Sequence, residues 1–246
     1  MKQYSKIGSF RYNIESYVCD FRGKATLPIV GNFLLKVATL HAHERGFGYD
    51  AIVKDHTAWV LSRLSMEMYE YPVHDEEITV ETWIEDVNRL FTQRCIRFIN
   101  GKGEVIGYAR SIWAAIDMNT RRPKDILSWR PDLAEYIVND VDCPVRKPGK
   151  VPEVKGEAIT GYTVRYSDID INCHMNSIKY IEHTIDAFDL DIFKEKSIRF
   201  FEIAYLAEGA FGDKLKLYKE EVSPGEFIID TKREDVSLCR CRVVWA

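Results

Sequence analysis

Residues 166–180 read Tyr-Ser-Asp-Ile-Asp-Ile-Asn-Cys-His-Met-Asn-Ser-Ile-Lys-Tyr. Within them Asp168, Asp170, Asn172, His174 and Asn176 fall at every second position. A period of two puts alternate side chains on one face of an extended segment. A carboxylate, an amide and an imidazole are therefore expected to point the same way. From Met175 the period changes: Met175, Ile178, Ile181, Ile185 and Phe188 follow helical spacing. Asn, Asp and Ser near the junction are N-cap types. Unpaired N–H groups at such a start carry partial positive charge and suit a developing anion. The stretch predicts a strand running into a helix, with acid/base groups, a neutral donor and an oxyanion site at the junction. A cap would use only one side chain, so capping alone does not account for the alternating set.

Working outward, the motif helix is preceded by a strand over 161–166. It is followed by four strand-like runs: 197–205, 214–222, 226–233 and 236–245, with Ser223-Pro224-Gly225 as a turn. The first half carries the same order. Residues 9–19 read as a strand. An apolar helix follows through Phe33, Leu34, Val37, Ala38, Leu40 and Ala42, closed by Gly46 and Gly48. Strands are then predicted over 57–69, 77–86, 90–99 and 104–117. Ile78, Val80, Thr82 and Ile84 alternate with Glu81 and Glu85, and Asn100-Gly101 marks a hairpin. Prolines recur between the halves (131, 144, 148, 152), which reads as a connector with one short helix over 131–138. Two copies of strand, buried helix and four-strand meander predict an α+β double hot-dog: repeats over 1–125 and 158–246, joined by a connector over 126–157. The first copy, read over 23–30, shows no Asp, Asn or His to match the motif. The chemistry is therefore expected in the second repeat.

The composition is that of a globular chain: 246 residues, 46% hydrophobic and 29% charged. A formal charge of −4 gives no case for nucleic acid as a partner. No apolar run approaches the ~18 residues that span a bilayer. The first ten residues lack a signal-peptide core. Cysteines at 19, 95, 143, 173, 239 and 241 form neither a disulfide framework nor a metal knuckle. Cys239 and Cys241 read as buried apolar residues, and Cys173 as a weak nucleophile. His41, His43, His56, His74 and His183 have no partner at catalytic or metal spacing and read as structural or surface residues. Asp168 reads as a capping or pairing residue. No metal or cofactor is expected.

Asp170-Ile-Asn172-Cys-His174-Met-Asn176, with Lys179-Tyr180-Ile181 after it, resembles the Asp-x-Asn-x-His motif of the acyl-acyl-carrier-protein thioesterases. That family includes plant plastid enzymes and bacterial relatives. Its second signature, Tyr-Arg-Arg-Glu-Cys, is matched by Tyr205-Leu206-Ala207-Glu208-Gly209, with Glu208 kept and glycine in place of cysteine. That departure argues against a cysteine nucleophile here and leaves the carboxylate as the reactive group. Trp59-Val-Leu-Ser-Arg63, Glu81-Thr-Trp83, Gly103-Glu-Val-Ile-Gly107 and Thr120-Arg-Arg122 extend the resemblance over nearly the whole chain.

The resemblance implies hydrolysis of a fatty acyl thioester on acyl carrier protein, with Asp170, Asn172, His174 and Glu208 converging on one cavity. Glu208 would be the general base, or half of a base pair with His174. His174 would hold water and shuttle the proton, and Asn172 would fix the carbonyl or the water. Asp170 would orient this network or be the direct base. Attack by a carboxylate, giving an anhydride, stays open. An acidic carrier calls for basic residues, with Arg121, Arg122 and Lys124, or Lys194, Lys196 and Arg199, as candidates. The resemblance also implies an acyl-binding cavity in the first repeat, with Phe33, Val37, Leu61 and Met66 as candidates for setting acyl length. The plant relatives carry a transit segment and none is visible here, so a bacterial-type cytoplasmic protein is expected, as a monomer or a homodimer. The alternatives are a hot-dog acyl-coenzyme A thioesterase and a non-catalytic acyl-binding hot-dog protein.

Overall fold

A computed structural model describes residues 4–246. The chain divides between Lys147 and Pro148 into two compact units. The first holds β1 (Gly8–Asn13), α1 (Leu27–Glu44), the short α2 (Tyr49–Ile52), β2 (Thr57–Met68), β3 (Glu77–Val87), β4 (Thr92–Ile99), β5 (Val105–Asp117) and α3 (Ile126–Trp129). Its strands pair antiparallel in the order β1-β3-β4-β5-β2. The second holds β6 (Thr160–Thr163), α4 (Ser177–Ile185), α5 (Leu190–Glu195), β7 (Ile198–Tyr205), β8 (Lys214–Ser223), β9 (Glu226–Arg233) and β10 (Val236–Trp245). Its order, β6-β8-β9-β10-β7, is that of the first unit repeated. The architecture is an α+β hot-dog present twice.

In the first unit α1 begins six residues ahead of the apolar run read from sequence, because Pro28 sits in its first turn, where a missing N–H costs nothing. Leu27, Val30, Leu34, Val37, Ala38, His41 and Ala42 form its buried face, while Asn32, Lys36 and Thr39 are exposed. Val30, Leu34 and Val37 are fully buried, each contributing about 1.5–3 kcal/mol. Ile78, Val80, Thr82 and Ile84 of β3 are buried as their alternation predicts. Trp83 is buried as well, so this strand is covered on both faces. Val37, Leu61 and Met66 lie in the core, and Phe33 is half-buried against Tyr12 with ring centroids 4.9 Å apart.

In the second unit α4 stops at Ile185, three residues short of the apolar spacing. Phe188 leaves the helix and packs edge-on against Phe227 and Trp245. α5 begins immediately after, N-capped by the Asp189 carboxylate. Residues 126–157 divide into two straps. Ile126 and Leu133 are buried with Phe47, Ile84 and Ala115, and the Val138 N–H donates to the Ile84 carbonyl. Val151 and Val154 pack instead on Ile228 of the second unit, where Lys232 Nζ donates to Glu153 at 2.7 Å. Among the described residues no helix is long and apolar enough to cross a bilayer.

Candidate active site

The motif is a tight turn rather than an extended strand. The Asp170 N–H donates to the His174 carbonyl at 2.9 Å, and the Cys173 N–H donates to the Asp170 carbonyl at 3.0 Å. Asp170 Oδ1 accepts the Asn172 N–H at 2.8 Å, the self-capping turn that aspartate favours. Cys173 takes the left-handed conformation that closes the loop, at φ 62°. Ile169 and Met175 bridge at its base. The alternation in sequence therefore does not lay the side chains along one face. Asp170 turns back on its own loop, Asn172 is exposed at the tip, and His174 leaves the turn half-buried.

The first unit carries the same turn 150 residues earlier. The Asp20 N–H donates to the Lys24 carbonyl at 2.8 Å, and the Gly23 N–H to the Asp20 carbonyl at 2.9 Å. Asp20 Oδ1 accepts the Arg22 N–H at 2.8 Å, Gly23 has φ 72°, and Cys19 bridges Ala25. Asp20, Arg22 and Lys24 thus stand where Asp170, Asn172 and His174 stand. The first copy does keep an aspartate, which reading over 23–30 missed by taking the register too late. An aspartate retained where the imidazole is absent does the work of holding a turn.

His174 and Glu208 are brought together: Nε2 lies 3.2 Å from Oε2, with both side chains partly exposed. Glu208 belongs to the segment that leaves β7. The Leu206 and Ala207 N–H groups share the Leu238 carbonyl, at 2.8 and 3.1 Å. Gly209 is held from both sides: its carbonyl accepts the Met175 N–H at 2.8 Å, and its N–H donates to the Tyr180 hydroxyl at 2.9 Å. Beyond it Asp213 accepts the Ala210 N–H at 2.8 Å and Arg233 at 2.6 Å. Of the four residues expected to converge, the structure pairs His174 with Glu208, uses Asp170 to shape the loop and sets Asn172 at its exposed tip.

The amides reserved for an oxyanion are mostly engaged. Met175 N–H goes to Gly209, Asn176 N–H to the Asp168 carbonyl, Lys179 N–H to the Asn176 carbonyl, and Ile178 N–H to the Asn176 side chain at 2.8 Å. Asn176 is thus the N-cap, as its residue type predicts. Asp168 is buried; it accepts the Arg165 N–H at 2.7 Å and lies 3.5 Å from His183, which stacks on Tyr162. Its reading as a capping or pairing residue matches this geometry. Sequence reasoning quoted Tyr180 with the motif but gave it no role; it is 3% exposed, and burial pushes its hydroxyl well above its ordinary pKa. The signal was available: a glycine where the family pattern has cysteine leaves a space that some other atom must fill. A Cβ at Gly209 would lie 2.8 Å from the Tyr180 oxygen.

Cys239 and Cys241 are fully buried, with Cys241 Sγ 3.4 Å from the Thr184 hydroxyl. His41 is buried too, its pKa lowered to about 2 by desolvation, with Arg94 and Arg45 adding. Of the basic candidates, Lys124 is spent on the Asp55 carbonyl and the Thr57 hydroxyl, and Lys194 pairs with Asp191 at 2.6 Å. Arg122 is exposed. A shallow hollow of about 210 Å³ in the first unit, lined by His43, Gly46, Gly48, Asp50, Ala51 and Lys54, includes none of the four motif residues. Among the described residues no cluster of His, Cys, Asp or Glu is arranged to hold a metal ion.

Known proteins bear on this geometry. The profile of the acyl-ACP thioesterase N-terminal domain matches residues 6–132, and that of the C-terminal domain residues 152–245. Oleoyl-acyl carrier protein thioesterase 2 of Arabidopsis thaliana is 25% identical over 89% of this chain and 64% of its own length. The palmitoyl-acyl carrier protein thioesterase of the same plant is 26% identical over 80% of this chain and 51% of its own. The chain thus spans about half to two thirds of the length of these curated relatives. An acyl-ACP thioesterase from Bacteroides thetaiotaomicron superposes with a TM-score of 0.92 at 42% identity, covering 98% of both chains. The 12:0-ACP thioesterase of Umbellularia californica superposes at 0.84 with 22% identity, a likeness of fold alone. With both halves matched in order, the chain belongs to the acyl-ACP thioesterase family.

Proposed function

We propose that the protein hydrolyses the thioester of fatty acyl-acyl carrier protein, releasing fatty acid and carrier. The first repeat provides the acyl-binding surface and the second the chemistry. The observation that supports this is the His174–Glu208 pair at 3.2 Å, placed on the family's two signatures. A thiol leaving group has a pKa of about 8.5 and departs near neutral pH with little help. Water, at about 15.7, is the harder partner to activate. In this reading the pair acts as one base, taking a proton from water as its oxygen adds to the thioester carbonyl. The C–S bond then breaks, and the imidazole returns the proton to the sulfur. With the α4 amides largely engaged, the exposed Asn172 side chain supplies a neutral donor to the carbonyl oxygen. Asp170 keeps the turn that presents both. The enzyme acts in the cytoplasm, as a monomer or homodimer, and meets the acidic carrier through basic residues including Arg122.

The test is a hydrolysis assay across acyl lengths on carrier protein and on coenzyme A. Glu208→Gln and His174→Ala are each expected to lose ~10²–10⁴-fold in kcat. Near-normal turnover in both would remove the assignment. Faster hydrolysis of coenzyme A esters would move the substrate. Carrier turnover should be salt-sensitive and lose that sensitivity when Arg122 is neutralised. In single-turnover hydrolysis in heavy-oxygen water, label entering a carboxylate of Asp170 or Glu208 would contradict direct attack by water.

A further inference from the structure

We infer that Tyr180 is a positioning residue for the proposed reaction: its hydroxyl fixes the Glu208–Gly209 backbone so that the Glu208 carboxylate reaches His174. The inference rests on the reading of His174 and Glu208 as the acid/base pair. His174 is tied to the chain through Met175, whose N–H binds the Gly209 carbonyl at 2.8 Å. Glu208 is tied through Gly209, whose N–H binds the Tyr180 hydroxyl at 2.9 Å. One residue, Gly209, therefore links both partners, and Tyr180 is the contact that sets its height above α4. The phenol is itself held firmly. It is 3% exposed and meets Tyr205 edge-on at 5.9 Å, and Tyr205 donates to the Ser177 carbonyl at 2.9 Å. The missing side chain at position 209 makes room for it, since a Cβ there would sit 2.8 Å from the phenol oxygen. Glycine at 209 and tyrosine at 180 are thus one device. A buried hydroxyl takes the place of a side chain and holds the loop by its amide.

The mechanism predicts a particular split. Tyr180→Phe leaves the buried Gly209 N–H without its acceptor and lets the segment drift. Misplacing a reacting group by ~1 Å can cost on the order of 10²-fold. The expected result is a kcat loss of about 10- to 100-fold with KM within about twofold. Because Tyr180 acts only through Glu208, combining Tyr180→Phe with Glu208→Gln should be no slower than Glu208→Gln alone. The His174 imidazole ¹⁵N–¹H spectrum of Tyr180→Phe should move towards that of Glu208→Gln. Gly209→Ala keeps the phenol but drives its oxygen off the amide, so it should reproduce the kinetic and spectral changes should Tyr180→Phe fail to fold. Wild-type kcat, multiplicative losses in the double variant, or an unchanged His174 spectrum would overturn the inference. If the wild-type chain hydrolyses no acyl thioester, the proposed function fails, and the imidazole spectrum alone then decides the role of Tyr180.

Discussion

Consider Gly209→Cys, which restores the residue of the family pattern. The new Cβ would lie 2.8 Å from the Tyr180 oxygen, 3.3 Å from Leu238 Cδ2 and 3.3 Å from Met175 Cβ. To reach ordinary contact the phenol oxygen has to retreat by about 0.6 Å, from 2.8 to 3.4 Å. That movement stretches the 2.9 Å hydrogen bond from the Gly209 amide to the limit of hydrogen bonding. Overpacking a closed site costs about 1–3 kcal/mol, and a buried amide stripped of its acceptor about 1–3 kcal/mol. Because one displacement produces both, a combined loss of ~2–4 kcal/mol is expected. At ~2–4 °C per kcal/mol for a chain of this size, Tm should fall by roughly 5–15 °C. Adding Tyr180→Phe removes the clashing oxygen. The hydrogen bond is then already lost, so the cysteine should cost less than about 1 kcal/mol in that background. A double-mutant cycle by urea unfolding at constant m would read this coupling, ~1–3 kcal/mol. Strictly additive losses, or a Gly209→Cys cost under about 0.5 kcal/mol, would refute the idea that the hydroxyl fills the missing side chain's place.

Asp170→Ala should cost about 1 kcal/mol of stability through loss of the turn's acceptor, and Asp20→Ala a similar amount. Asp170→Asn keeps that acceptor and should retain more turnover than Glu208→Gln; equal losses would return Asp170 to the role of base. Cys173 holds φ 62° where its counterpart Gly23 has φ 72°. Cys173→Gly should therefore stabilise by about 0.5–1 kcal/mol in thermal or urea unfolding, and a loss would contradict the turn geometry. His41, lowered to about 2, stays neutral in the folded chain while its unfolded counterpart protonates near pH 6.5. The stability that depends on this neutral form is complete above pH ~6.5. It falls by up to ~1.4 kcal/mol per pH unit as pH drops towards 2. His41→Leu should flatten that limb, and an unchanged slope between pH 7 and 5 would count against it.

Several features were legible because local chemistry settles them. The two meanders came from alternation and turn residues. β9 and β10 match their expected ranges to the residue, because Gly225 marks the start of β9 and the Glu234-Asp235 pair separates it from β10. The double hot-dog followed from the order of elements repeating, and Asn176 as a cap followed from its type. The motif's shape was not legible. A period of two is shared by a strand and by a turn in which Asp170 caps its own loop, and only the Asn172 and Cys173 amide partners separate them. The equivalence of Asp20 to Asp170 was hidden as well, because the two turns agree in backbone geometry and share only the aspartate.

By itself the sequence determined which side chains are at hand: an imidazole ahead of a capped helix, a carboxylate after a strand, and no cysteine beside it. Tertiary structure alone decided which of them meet. The 3.2 Å approach of His174 to Glu208 spans 34 residues and depends on a glycine gripped by Met175 and Tyr180. Contacts between such distant residues are set by how α4, β7 and β10 pack, and that packing leaves no periodic trace in the chain. A glycine codon records that a side chain is missing; the folded protein shows which atom fills its place.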